Sequence, residues 1–382
     1  MLRRYYYEAQ PYAASTSVPT SALQGWWRAD AGLTLSAAGT VAHWQDQSGQ
    51  GHHLTPDPVA PPPTTALWAG TTAVSFDSSQ ALAPVVLDNP APAVYTVALA
   101  LQQAPVMTEM MAFMFGQERG AAQALATGFN VLALNTFRGE GYGIGAGPAV
   151  MGRPVLITVE LRSNATTACR LWVNGQEQVL SLLVGGLYNV PLDAYFRLGG
   201  AVNTSGGAYF WHGWIGEALV YDRALDDPER AQLHAYLSDR FQIPLWAGPA
   251  ERFGNASFED ALSYGFGTLA AQPRWQVGNG VATIAGGQGV NGQDFLYQRV
   301  PLEPGASYRV AVEVVSYTSG SLGLVTQSGA INHDFGPLSA GTFEFTFAFN
   351  PSPPEATGDW FTFVGRDDAV FSLGSVSLKR LA

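Results

Sequence analysis

The sequence predicts an all-β protein: two β-sandwich (jelly-roll) domains, the first closed by one C-terminal α-helix, with an extended N-terminal arm. Three observations carry this. Most of the chain reads as short runs of β-branched, aromatic and aliphatic residues cut by Gly, Pro and Asn. The 43 glycines and 24 prolines among 382 residues supply the turns that short-stranded sandwiches need. A single late segment, Gly213 to Phe241, switches from strand alternation to helical spacing.

Composition narrows the field further. A hydrophobic content of 47% with only 13% charged residues belongs to folded material. A net charge of −11 with no basic stripe argues against a nucleic-acid partner. Cys169 is the lone cysteine, so no internal disulfide can form. The start, Met-Leu-Arg-Arg-Tyr-Tyr-Tyr-Glu, lacks the apolar stretch of a secretion signal, and no run approaches the ~18 apolar residues of a membrane span. The expectation is synthesis in a bacterial cytoplasm without a signal peptide, with no membrane span.

Residues 1–20 read as an arm. Tyr5, Tyr6 and Tyr7 precede a small polar run with Pro11 and Pro19 that has no core-forming period. Three adjacent tyrosines are costly to leave in water, so the arm either docks onto a partner or a neighbouring subunit or stays a disordered tail. Residues 21–243 form the first sandwich, with strand-like runs at Tyr95–Leu101, Val155–Leu161 and Arg170–Val173. Asn174-Gly175 marks a two-residue hairpin, because a type I′ turn needs positive φ at both positions. The helix that ends this domain is signalled by Asp226 and Glu229 as a capping box, Pro228 in the first turn, and a Leu233/Leu237/Phe241 stripe. Pro244 to Pro249 breaks it, giving a linker at 244–250. Residues 251–382 make the second all-β unit, in which Thr342–Phe349 alternates strictly, Phe inward and polar or Ala outward.

Two resemblances follow from motifs. Gly25-Trp-Trp-Arg-Ala-Asp, Trp44-Gln-Asp-Gln-Ser-Gly, Ala73-Val-Ser-Phe-Asp77, Trp172-Val-Asn-Gly175, Phe196-Arg-Leu-Gly-Gly200 and the 213–241 closure together resemble a laminin-G / concanavalin-A-like jelly roll. Asn255-Ala-Ser-Phe-Glu259, Tyr297-Gln-Arg-Val300, Pro304 to Val310 and Phe371 to Leu378 resemble a galactose-binding-like carbohydrate-binding module. The second resemblance implies a structural calcium between Glu259 and a last-strand Asp. Here Gly374 or Ser375 stands at that last position, leaving Glu259 as the one carboxylate of the pair. Asp46 is a second weak calcium candidate, although Asp followed by Ser-Gly reads more simply as a side-chain-capped turn. No cofactor is expected otherwise.

The acids and histidines carry no catalytic pattern. The glucanase signature Glu-x-Asp-x-x-Glu does not occur, and Asp226/Asp227/Glu229 is explained by the helix cap. Asp367-Asp368 reads as solvated acids in a turn. His52-His53, His212 and His234 do not have metal-site spacing. No catalytic residue is assigned. Aromatics beside Gly- or Asn-rich turns remain as sugar platforms, since pyranose C–H faces stack on them. These are Trp275, Tyr297, Tyr142, Tyr209 and Trp211, with Asn291, Gln293 and Gln298 as polar partners near Tyr297. Trp26, Trp44, Trp172 and Trp214 lie in strand motifs and are expected in the core.

The resemblances imply a non-enzymatic carbohydrate-binding component of a phage or phage-like particle (tail fibre, head spike or decoration protein). It would be an oligomer held on the virion surface by its arm and directed at host-surface polysaccharide. The alternatives are a virion adaptor without glycan binding, and a glycoside hydrolase with unrecognised carboxylates.

Overall fold

The computed structural model describes residues 17–245, 267–268, 275–285 and 294–381, less short segments between strands. The described residues are mostly β, with one α-helix at Asp227–Phe241. The all-β class with one helix is therefore what the chain adopts. The hydrophobic clusters divide in the same way along the sequence. Three draw on Val18 to Leu245, and one draws on Trp275 to Leu378.

In the N-terminal region an eight-stranded antiparallel sheet is centred on Val94–Gln103, which lies between Val155–Arg162 and His212–Tyr221. A seven-stranded sheet is built around Val131–Arg138, Ala122–Gly128, Met110–Phe115 and Tyr195–Leu198. The sheets pack face to face. Tyr95 stacks on Phe115 at 4.3 Å and Trp27 on Phe196 at 5.4 Å, with Val97, Leu99, Ile157, Phe113 and Leu198 around them.

The other face of the eight-stranded sheet is also covered, by the helix. Ala98, Ala100, Leu156 and Leu219 meet Leu233, Tyr236, Leu237 and Phe241. Burial on both faces explains why Tyr95–Leu101 is a continuous apolar run and not an alternating one. Gly216 permits the close approach, since a Cβ there would lie 2.5 Å from the Phe241 ring and 2.8 Å from Trp68. The helix begins as its sequence dictates. The Glu229 backbone N–H donates to Asp226 Oδ1 at 2.8 Å, and the Asp226 backbone N–H donates to Glu229 Oε2 at 3.1 Å. Arg223 grips the same Glu229 carboxylate through two 2.6 Å hydrogen bonds and holds its carboxyl below the usual range. The Asn174-Gly175 turn has φ of 46° and 81°, the type I′ geometry expected.

Polar groups sit within this helix–sheet seam. Glu217 is fully buried; Trp26 Nε1 donates to its Oε1 at 2.6 Å, Tyr236 OH donates at 2.9 Å, and Arg240 Nε lies 2.6 Å from its Oε2. Burial pushes the Glu217 carboxyl up, while Trp26, Arg240 and Tyr236 pull it back toward the charged form. Arg240 also pairs with Asp30. His234, buried against the sheet, shares a 2.9 Å hydrogen bond with Thr158 Oγ1, and burial beside Arg230 lowers its pKa to about 4.

The expected arm runs to residue 20, but its last residues belong to the first sandwich. Val18 is buried among the helix-side residues, and Gln232 Nε2 donates to the Ser17 carbonyl at 3.1 Å. Tyr5, Tyr6 and Tyr7 lie outside the described residues.

In the C-terminal region a pair of long strands, Ser307–Thr326 and Gly358–Arg380, run together along most of their length. Gly341–Ala348 and Asn332–Pro337 flank the first long strand; Asp294–Pro301 and Val281–Ala285 flank the second. The sheet bends over on itself, so that His333 from one half stacks on Phe345 from the other at 4.0 Å. Trp275, Tyr308, Phe361, Phe363 and Phe371 fill the enclosed core.

Glu217→Ala should destabilise the chain by about 1–3 kcal/mol, because it takes the acceptor from the Tyr236 hydroxyl and the Trp26 indole N–H and one of two carboxylates from Arg240. Chemical denaturation measures this, and a loss below ~1 kcal/mol would deny the seam its role. For His234 the neutral ring is the buried form, so the unfolded chain, with its ordinary value of 6.5, takes the proton first. Its contribution is whole above pH 6.5 and is lost as pH falls toward 4, by about 3 kcal/mol. His234→Gln should flatten the stability–pH profile across that window.

Candidate functional site

The structure disperses the aromatics that the sequence nominates. Trp211 is 0% exposed and lies in the core between the two sheets; Trp275 is 1% exposed and meets Phe371 edge-on at 5.6 Å. Neither indole offers a face to a sugar. Nearness to a glycine-rich turn does not decide which side of the sheet they point to. Tyr209 is half-buried on Met111, Met114 and Ala124. Tyr297 is half-buried on the strand Asp294–Pro301, opposite Thr362. Two strands separate it from the strand of Trp275, so these two do not form one platform. Tyr142 lies in a strand opposite Phe137, and Gln298 in one opposite Phe361. Asn291, Gln293 and Glu259 fall outside the described residues. Among the tryptophans expected inside, Trp44 and Trp172 are buried while Trp26 and Trp214 are half-buried.

Asp46 is fully occupied as a turn cap. Its Oδ1 accepts from the Trp26 and Ser48 backbone N–H groups, both at 2.8 Å. Its Oδ2 accepts from Ser48 Oγ at 2.7 Å and the His52 backbone N–H at 3.1 Å. Four donors aimed at one buried carboxylate leave its lone pairs no cation to hold. A calcium role for Asp46 is therefore replaced by the capped-turn reading.

A different place gathers the chemistry of a site. The alternating apolar run Tyr308–Val314 is interrupted by Val315-Ser-Tyr-Thr-Ser-Gly-Ser321, where the register with the neighbouring long strand slips repeatedly. Ser319 faces Val370 and Ser321 faces Arg366, so Gly320 alone stands against Asp367, Asp368 and Ala369. That is a wide bulge inside one continuous strand. Gly320, at φ 85°, is required there: a Cβ would fall 2.4 Å from Ala369 Cα and 2.5 Å from the Arg366 carbonyl.

Asp367 and Asp368 take left-handed backbone angles, φ 57° and 53°, which non-glycine residues adopt at some cost. Hydroxyls from the facing strand secure them. Ser319 Oγ donates to the Asp368 carbonyl at 2.8 Å, and Ser321 Oγ donates to Asp367 Oδ2 at 3.2 Å. Both aspartates are exposed. Tyr317, 37% exposed, pairs with Phe371 on the same strand pair, and its hydroxyl is tied down by donating to the Gly320 carbonyl at 3.0 Å. Arg366, which opens the bulge, is 3.4 Å from the exposed Asp334. The bulge thus gathers an exposed tyrosine with a held hydroxyl and two exposed carboxylates on neighbouring strands, groups of the kind that read a sugar's C–H face and hydroxyls. The interruption of a β-branched run by Ser, Gly and Tyr is the signal that the sequence holds for this site.

No protein-family model matches the chain, and no curated protein matches its sequence. Solved structures give loose likenesses. Domain 4 of AbnA, a GH43 extracellular arabinanase from Geobacillus stearothermophilus solved with arabinotriose, is 16% identical with a TM-score of 0.42. That match covers 56% of this chain and 98% of that one. Trypanosoma rangeli sialidase in complex with sialic acid is 14% identical with a TM-score of 0.39, over 59% of this chain and 34% of the sialidase. This chain thus spans about a third of the sialidase. A mutant of HCR/D is 9% identical with a TM-score of 0.41, over 93% of this chain and 98% of that one. These likenesses are too loose to assign a ligand or an activity to this chain.

Two outcomes check the assignments. Asp46→Ala should lower Tm while added calcium leaves the native Tm where it is; calcium-dependent stabilisation lost in Asp46→Ala would restore the metal. Asp368→Gly should raise stability by about 0.5–1 kcal/mol by relieving the left-handed backbone.

Proposed function

We propose that the chain is a non-enzymatic carbohydrate-binding protein and that the bulge around Tyr317 is a sugar site. The observation that carries this is one bulge that holds an exposed tyrosine, Tyr317, by its hydroxyl and presents two exposed carboxylates, Asp367 and Asp368. A pyranose would lay its C–H face on the ring. Its hydroxyls would donate to the two carboxylates. Because the tyrosine hydroxyl and the bulge are held before any ligand arrives, little ordering entropy is lost on binding. No bond is made or broken in this reading.

One such shallow site binds weakly, and affinity for a polymer comes from several copies acting at once. The same proposal puts these copies on a phage or phage-like particle that meets host-surface polysaccharide. Probing purified particles with antibody to the chain tests that setting; a chain absent from them would remove it.

A glycan array probed with the native chain should give discrete positives, and Tyr317→Ala should weaken each monovalent interaction roughly three- to tenfold. Tyr317→Phe, which keeps the ring, should retain most of the binding. Silence of the native chain across a broad array, or an unchanged profile for Tyr317→Ala, would sink the proposal and favour a virion adaptor.

A further inference from the structure

The strand Gly341–Ala348 is a sheet edge. It pairs antiparallel with the first long strand, from Ser307 opposite Ala348 to Val314 opposite Gly341, and among the described residues with no other strand. Its register runs without a bulge, and it holds neither proline nor lysine. Proteins that stay apart usually blunt such an edge with those devices or with several charges, because its unpaired N–H and C=O groups invite another strand; here Glu344 is the one charge on the run. Burial alternates along it. Phe343, Phe345 and Phe347 are half-buried, while Thr342, Glu344, Thr346 and Ala348 are exposed. The rings are aligned: Phe345 and Phe347 lie 6.0 Å apart, and Phe347 stacks on Tyr308 at 5.6 Å.

We propose that this edge pairs antiparallel with the same edge of a second copy of the chain, about a two-fold axis at Phe345. Side-chain chemistry selects that register. With the axis at Phe345, each Phe345 faces its own copy, Phe343 faces Phe347 of the partner subunit, and Glu344 faces Thr346 of the partner subunit. The run from Thr342 to Ala348 in each chain is then paired, and the half-buried rings from both copies close into one row. Moving the axis to Glu344 would oppose two carboxylates, and moving it to Thr346 would shorten the paired length. A half-step shift would set phenylalanine against threonine or glutamate and break the match of faces. Charge fits as well. Arg309 lies 4.0 Å from Glu344 and pairs across the strands with Thr346, so each dyad-related Glu344 meets no like charge directly opposite. The interface is isologous, as two-fold pairs require, and it does not depend on the sugar site.

The test uses the full chain. Light scattering at tens of micromolar should give a dimer. Thr346→Glu puts a carboxylate opposite Glu344 of the partner subunit on both sides of the axis and should weaken dimerisation roughly tenfold. Adding Glu344→Lys to it should restore the native affinity. Both positions are exposed, so circular dichroism and Tm should stay native. Chains bearing Glu344→Cys mixed with chains bearing Thr346→Cys should form a disulfide-linked dimer on oxidation, whereas neither forms one alone. The native Cys169 is buried and should take no part. A monomer at all concentrations, or a dimer indifferent to Thr346→Glu with no mixed disulfide, would overturn the proposal.

Discussion

The first sandwich depends on one buried carboxylate. Glu217 sits on the strand His212–Tyr221, on the face turned toward the helix, and reaches Trp26 from a neighbouring strand and Tyr236 and Arg240 from the helix. A carboxyl group so placed is tolerable only when it is paired and hydrogen-bonded on several sides. The requirement propagates. The helix must lie where Tyr236 and Arg240 meet the carboxylate, the sheet must offer Gly216, Ala98 and Ala100 beneath it, and the eight-stranded sheet then loses solvent on both faces. Two further buried polar groups, Thr158 and His234, fall into the same seam and satisfy one another.

The C-terminal sheet solves a different problem. Very long paired strands cannot remain flat, and bulges let them bend until the halves of one sheet enclose a core. The widest bulge turns the chain outward and leaves Asp367, Asp368 and Tyr317 presented on rigid strand backbone. Function placed there inherits the precision of the sheet, which a mobile loop would not supply. Bending also brings His333 over Phe345, aligning the aromatic row along the sheet edge.

Local signals are legible where chemistry is local. Asp226, Pro228 and Glu229 announce the helix start, Leu233, Leu237 and Phe241 its buried stripe, and Asn174-Gly175 a hairpin; each is borne out by hydrogen bonds, burial or backbone angle. Asp46 followed by Ser-Gly likewise reads as a capped turn and is one. The candidate site is much less legible. Trp211 and Trp275 look exposed because glycine- or asparagine-rich turns lie near them, yet burial is set by which side of a sheet a residue faces after pairing. Tyr317 is inconspicuous because its neighbours across the bulge, Asp367 and Asp368, lie far away in sequence.

From its sequence alone, this chain determines its class, its turns, its helix and the alternation of its strands, because those follow from contacts within a few residues. Tertiary structure decided which aromatics are buried, where the long strands bulge, and which edge is left without a neighbour among the described residues. Those outcomes depend on register between strands far apart in the chain, and a one-residue change in register turns a side chain from core to solvent.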